Sequence, residues 1–197
     1  MTADPRTIRF YDTAAERYDT LTHTGRPNDD LRAFMALLPD AARVLDLGCG
    51  PGQASVHMAA AGHRPDPVDA SRAMVDLARA KGLPARLATF EDLDATEAYD
   101  GVWANFSLLH APRDALPRHL AAIARALTPG GLFHAGMKTG TGEARDSLDR
   151  HYTYVTPGDW DELLHAAGFA TISASEGVDK GFAGTDDAYL VTLARKA

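Results

Sequence analysis

The chain has 197 residues, 45% of them hydrophobic and 24% charged, with a formal net charge of -7 and a single cysteine. That length and mix favour one globular domain with a full core, and the acidic balance argues against electrostatic capture of nucleic acid or an anionic membrane. The lone Cys49 rules out an internal disulfide and suits a reducing cytoplasm, the opening MTADPRTIRF lacks the apolar core of a signal peptide, and no apolar run is long enough to span a bilayer.

Strand and helix patterns alternate from the first third of the chain onward. Residues 31–38 (LRAFMALL) read as a helix closed by Pro39. Residues 44–47 (VLDL) read as a short parallel strand, apolar on both faces. Glycines at 48, 50 and 52 then permit a sharp turn, and residues 53–61 (QASVHMAAA) form a helix whose N-terminus faces that turn. Context places a second strand at 64–69, although Pro65 and Pro67 remove two ladder donors. Ser71 caps a helix with Met74, Leu77 and Ala78 on its apolar stripe.

A third strand is expected at 84–90, and a fourth with its exit at 99–109. Asp114 is expected to cap a helix carrying Leu116, Leu120, Ile123 and Leu127, which Thr128-Pro129-Gly130-Gly131 ends before a fifth strand at 132–137. Thr156 caps a helix with Pro157 in its first turn, Trp160, Leu163 and Leu164 inward, and Gly168 as terminator. Residues 170–174 and 188–194 supply two last strands. The pattern predicts an α/β fold with a doubly wound sheet in one domain spanning 1–197: an N-terminal helical cap over 1–40, a core over 41–197, and an insert at about 139–155.

The glycine turn is a nucleotide-type cradle, but the dinucleotide fingerprint G-x-G-x-x-G fails at Gln53 from one starting glycine and at Ser55 from the other. What stands there is Asp46-Leu47-Gly48-Cys49-Gly50-Pro51-Gly52. This D-x-G-x-G-x-G pattern resembles the first motif of the class I S-adenosylmethionine (SAM) dependent methyltransferases. The alternative is an ordinary glycine turn that holds no ligand. The resemblance implies that Gly48, Cys49, Gly50 and Gly52 wrap the methionine part of the cofactor, with Asp46 near its amino group. It also implies a sheet ordered 3-2-1-4-5-7-6 with the seventh strand antiparallel.

Further segments carry the same resemblance. Asp69 stands about 20 residues past the turn, where an acid can accept both ribose hydroxyls; its plainer reading is a helix-capping acid. The run Val68-Asp69-Ala70-Ser71-Arg72-Ala73-Met74 is similar to V-D-x-S-x-x-M, and implies that Met74 packs on adenine. Thr89-Phe90-Glu91-Asp92-Leu93 resembles D-A-E-D-L of the adenine-contact segment, with Thr89 in place of the first acid and with Phe90 and Glu91 as the remaining contacts; its plainer reading is a capped short helix. Residues 103–110 (WANFSLLH) resemble S-N-x-x-L-H-H, implying that Asn105 and Phe106 run beside the sulfonium. Phe10-Tyr11-Asp12 and Arg17-Tyr18-Asp19 resemble an N-terminal cap in which Tyr18 closes over SAM.

Methyl transfer requires alignment of a nucleophile and exclusion of water, and a base only where the acceptor carries a proton. His110, Tyr154 and Lys138 are the expected catalytic groups. Arg113, His134, Arg145, His151 and Tyr152 are further candidates, His134 being more readily read as a core histidine. The expected donor is SAM, the product S-adenosylhomocysteine, and the acceptor a small acidic or polar molecule, with no metal. Oxygen, nitrogen and sulfur acceptors are all compatible with the sequence. A SAM-binding regulator without activity and a nicotinamide oxidoreductase are the competing readings.

Overall fold

The computed structural model describes residues 4–197; residues 1–3 of the expected N-terminal cap lie outside the described residues. In chain order the elements are α1 (Pro5–Thr22), α2 (Asp29–Ala36), β1 (Arg43–Leu47), α3 (Gln53–Ala60), β2 (Arg64–Asp69), α4 (Arg72–Ala80), β3 (Arg86–Leu87), β4 (Tyr99–Asn105), α5 (Leu116–Ala126), β5 (Leu127–Lys138), β6 (Glu143–Arg145), β7 (His151–Thr153), α6 (Pro157–Ala166), β8 (Phe169–Lys180) and β9 (Asp186–Lys196). Seven strands form one sheet in the order β3-β2-β1-β4-β5-β9-β8. β1 to β5 run parallel, and β9 is antiparallel to both of its neighbours. With β6 and β7 set apart as a separate hairpin, this is the expected order.

Alternate residues of the central strands enter opposite cores, which is why these strands read as continuous apolar runs. Leu45, Leu47, Val102 and Phe133 pack under α5 and α6 with Leu120, Ile123 and Trp160. Val44, Trp103 and Leu132 pack on the other face with Phe34 and Met58 of α2 and α3. The two prolines of β2 are tolerated for a positional reason. The Arg64 N–H donates to Ala42 on the β1 side (2.8 Å), so residues 65 and 67 point the other way, where β3 pairs only with Val68 and Asp69.

Several expected boundaries move. α2 begins at Asp29, where the Asn28 side chain accepts from the Leu31 N–H (2.9 Å), and ends at Ala36. β3 is two residues long rather than spanning 84–90, because the Asp92 carboxylate accepts the Thr89 N–H (2.8 Å) and hydroxyl (2.9 Å) and draws the chain into a 3-10 turn. Asp114 does not cap α5. It sits in a separate 3-10 turn, and Ala115 at the cap makes no side-chain bond. Residues 128–131 bulge out, since Tyr99 pairs with Leu127 and Gly101 already with Leu132. β8 and β9 run to 12 and 11 residues and pair along their length at the sheet edge, reaching past the end of β5 by a few residues, with β8 mostly exposed. Among the described residues, no helix is long and apolar enough to cross a membrane.

Candidate functional site

The carboxyl ends of β1, β2 and β4 meet the glycine turn at the floor of a cavity. The N–H groups of Gly48 and Cys49 both donate to the Val68 carbonyl (2.9 Å each), tying the turn to β2. A Cβ on Gly48 would lie 2.3 Å from that of Ser107, whose hydroxyl donates to the Leu47 carbonyl (2.6 Å). At Gly50 (φ +53°) a Cβ would meet only Tyr18 Cε1, at 3.9 Å, so this face of the turn opens onto the cavity. The Asp69 carboxylate stands beside it, accepting from the Gly50 and Ser71 N–H groups (2.8 Å each). Burial raises its pKa, against the pull of those two bonds.

The structure brings most of the expected cofactor residues to one cavity. Gly48, Gly50, Asp69, Ala70, Ser71 and Met74 form its β1–β2 wall. Thr89, Phe90 and Glu91 form a second wall, and Asn105, Phe106 and His110 a third. Asp46, Cys49 and Gly52 do not reach the cavity. Asp46 is buried and accepts from Ser55 Oγ (2.7 Å); burial raises its pKa to about 7. Cys49 packs with Val75, Ala78 and Leu83. Gly52 caps α3 in a left-handed conformation, with Leu83 Cδ1 2.5 Å from where its Cβ would be. These three shape the turn from behind.

The roof is α1. Tyr18, Tyr11, Ile8, Thr7 and Asp4 descend along one face of this helix and line the cavity from end to end. Polar contacts pin the helix on three sides. Asp12 accepts from the Ser71 hydroxyl (2.7 Å) and Ala73 N–H (3.2 Å) at the start of α4. Asp19 accepts from Lys81 (2.6 Å) and from Gln53 (2.9 Å), the residue that breaks the dinucleotide pattern, while Lys81 also reaches the Pro51 carbonyl (2.7 Å). Asp4 pairs with Arg145 (2.8 Å), and Thr7 Oγ1 accepts from the His151 N–H (2.9 Å). Phe182, on the turn between β8 and β9, packs against Phe10 and Tyr18. Local spacing gave no signal for Lys81 or Phe182.

His110 is the expected catalytic residue that does line the cavity. Its Nε2 lies 2.9 Å from Tyr11 Oη and its Nδ1 2.6 Å from the His151 carbonyl oxygen. Burial lowers its pKa to about 4, the His151 bond opposes that fall, and the Arg150 charge adds to it. Lys138 and Tyr154 do not converge on the cavity as expected. Lys138 pairs with Asp187 (2.7 Å) and lies over the Tyr152 ring (3.9 Å). Tyr154 packs beside the hydrophobic core, its carbonyl accepting from Arg113. Tyr152 and Tyr154 do lie on one side, with ring centroids 6.2 Å apart.

His134 is a core histidine, stacked on Trp103 with ring centroids 3.6 Å apart and its Nε2 3.1 Å from Asn105 Oδ1. Burial lowers its pKa to about 3. Below its ordinary pKa of about 6.5 the unfolded chain takes up a proton that the folded chain refuses until about pH 3. Stability therefore falls as pH drops through that window. His134→Phe should remove this slope: between pH 7.5 and 5.5, wild type should lose about 1.4 kcal/mol relative to the variant in urea unfolding. Parallel profiles would show that His134 protonates freely in the fold.

Known proteins with the same build now bear on the cavity. Residues 44–131 match the family model described as a methyltransferase domain. The cypemycin N-terminal methyltransferase of Streptomyces sp is 35% identical over 130 residues, covering 62% of this chain and 53% of that protein. The trans-aconitate 2-methyltransferase of Variovorax paradoxus (strain S110) is 35% identical over 148 residues, covering 71% and 54%. The solved Burkholderia thailandensis 1,6-didemethyltoxoflavin-N1-methyltransferase, with 1,6-didemethyltoxoflavin and S-adenosylhomocysteine bound, superposes with TM-score 0.76 at 27% identity, covering 98% of this chain and 88% of that one. The matched segment, a little under half of the chain, resembles a methyltransferase domain, and nearly the whole chain shares the fold of a methyltransferase solved with S-adenosylhomocysteine. The chain spans about half the length of the curated relatives it matches. The Burkholderia enzyme holds S-adenosylhomocysteine, and the cavity here has features that suit such a group: a glycine without Cβ opens onto the space, and a buried carboxylate stands at the end of β2.

Proposed function

We propose that the chain is one methyltransferase domain over 1–197 that moves a methyl group from SAM to a small-molecule acceptor and releases S-adenosylhomocysteine. The observation that supports this best is a single cavity joining Gly50 and Asp69 at one end to Asn105 and His110 at the other. Gly48, Gly50 and Tyr18 would hold the methionine part, Asp69 the ribose, and Met74, Phe90 and Glu91 the adenine. The bound sulfonium supplies an electrophilic methyl group, so the protein's task is alignment and exclusion of water. The roof of α1 serves the second, and the strand-end floor the first. The relatives are named for targets as different as trans-aconitate and the N-terminus of cypemycin, so the acceptor is read from this chain's own wall: small, acidic or polar, and met in the cytoplasm.

Calorimetric titration with S-adenosylhomocysteine tests the reading, with one site expected. Asp69→Ala should weaken that binding by about 1.5–3 kcal/mol, the range for hydrogen bonds to a charged group. Unchanged affinity in a folded variant would remove Asp69 from the cofactor site. Tight binding with no methylated product from any acceptor would instead favour a SAM-binding regulator.

A further inference from the structure

The hydrogen bonds of His110 fix its tautomer. A carbonyl oxygen only accepts, so the ring proton sits on Nδ1, toward His151, and Nε2 is bare. Nε2 does not face the cavity unaccompanied: it accepts from Tyr11 Oη at 2.9 Å. A phenol oxygen has one proton and can accept through its lone pairs. The proton goes to His110, and one accepting direction faces Arg150 Nη1 at 3.4 Å. Arg150 is in turn fixed by Asp146 through Nη2 (2.6 Å) and Nε (2.9 Å) and lies over the Phe10 and Tyr152 rings. The remaining accepting capacity of Tyr11 is free for a donor in the cavity that Tyr11 and His110 both line.

We propose that Tyr11 is a catalytic residue of this site, that it relays the acceptor's proton to His110, and that the acceptor is accordingly a hydroxyl or N–H compound. The inference rests on the methyl-transfer reading above. In the step, the acceptor heteroatom bonds to the methyl carbon as the S–CH3 bond breaks and its electron pair returns to sulfur. The heteroatom's proton passes to Tyr11 Oη while Tyr11's own proton passes to His110 Nε2, leaving an imidazolium bonded to the His151 carbonyl. One positive charge leaves sulfur as one appears on His110, so the buried site keeps the same net charge. That matters because creating a new unpaired charge in a low-dielectric cavity is costly. It also explains how a histidine with so low an affinity for protons in the resting site can accept one during the transfer. A carboxylate or thiolate acceptor has no proton to give and would leave the pair idle. Arg150 and Asp146 are positioning residues for Tyr11.

The test begins with ¹⁵N-histidine NMR on the protein loaded with S-adenosylhomocysteine. The His110 signals should show a protonated Nδ1 and a hydrogen-bonded, unprotonated Nε2. Tyr11→Phe should shift Nε2 toward the free, unbonded position while S-adenosylhomocysteine affinity stays within a few-fold. Tritium transfer from labelled SAM is then followed to catechol, 4-methoxyphenol, thiophenol and benzoate. Label should appear in the phenols, with kcat about 10²-fold lower in Tyr11→Phe and in His110→Asn, KM little changed, and the double variant no slower than either single one. An Nε2–H tautomer, an Nε2 signal indifferent to Tyr11→Phe, transfer to the phenols at rates the variants do not alter, or label in thiophenol or benzoate alone would overturn the relay. A protein that bound no S-adenosylhomocysteine would overturn the methyl-transfer reading itself.

Discussion

Gly50→Val should abolish binding of S-adenosylhomocysteine while leaving the sheet folded. Three glycines of the turn have positive φ, yet a side chain at each would meet different things. At Gly48 and Gly52 it would collide with the protein, at 2.3 Å from Ser107 Cβ and 2.5 Å from Leu83 Cδ1. Replacing either would confuse lost binding with lost structure. At Gly50 the nearest atom is Tyr18 Cε1 at 3.9 Å, so the new side chain enters the cavity rather than the core. A β-branched residue at φ +53° adds backbone strain. The strain weighs on the fold, while the side chain in the ligand's space should cost about 4 kcal/mol or more of binding, a loss of about 10³-fold. Calorimetry reads the affinity and circular dichroism the fold; normal binding by a folded variant would mean that the turn is no cradle.

How much of this could be read in the chain depended on what each residue faces. Sheet order was legible because buried strands carry apolar runs and their covering helices carry stripes: Leu116, Leu120 and Ile123 are all fully buried on α5. The glycine turn and Asp69 could be placed at the strand ends because positive φ favours glycine there and a carboxylate at the end of β2 can take the N–H groups of Gly50 and Ser71. β3 was overestimated because its expected end overlapped Thr89, where the other reading of 89–93, a short capped helix, prevails once Asp92 takes the Thr89 N–H and hydroxyl. The β8–β9 pair was underestimated for another reason. A strand exposed on both faces has no apolar alternation, and its tip places Phe182 on Tyr18 from more than a hundred residues away. Direction was the hardest property to read. Asp46 sits in the right motif but turns to Ser55, and Lys138 leaves β5 at the right end but finds Asp187. A carboxylate or an ammonium goes to the partner that repays its desolvation, and such partners lie on elements that local spacing does not reveal.

Asp146→Ala should destabilise the fold by about 3–5 kcal/mol, the cost of stranding a buried charge. Arg150 is 2% exposed, its guanidinium enclosed by Phe10, Tyr11, Tyr152 and Phe182. Asp146 is its paired carboxylate and also accepts the Leu148 and Arg150 N–H groups (3.0 Å each), so it organises the turn between β6 and β7 as well. At about 2–4 °C per kcal/mol for a chain of this size, the melting midpoint should drop by roughly 6–20 °C. The exposed pairs Arg6–Asp149 and Lys180–Asp186 should contribute little by comparison, because water solvates both partners when either is removed. Arg150→Met should cost less than Asp146→Ala. It removes the buried charge together with its desolvation penalty, keeps an apolar stem among the rings, and leaves a carboxylate that still holds two N–H groups. Urea unfolding of both variants reads the order directly. If Arg150→Met were the more damaging, the guanidinium would be holding the aromatic cluster together by its contacts with the rings, and the ion pair would be secondary.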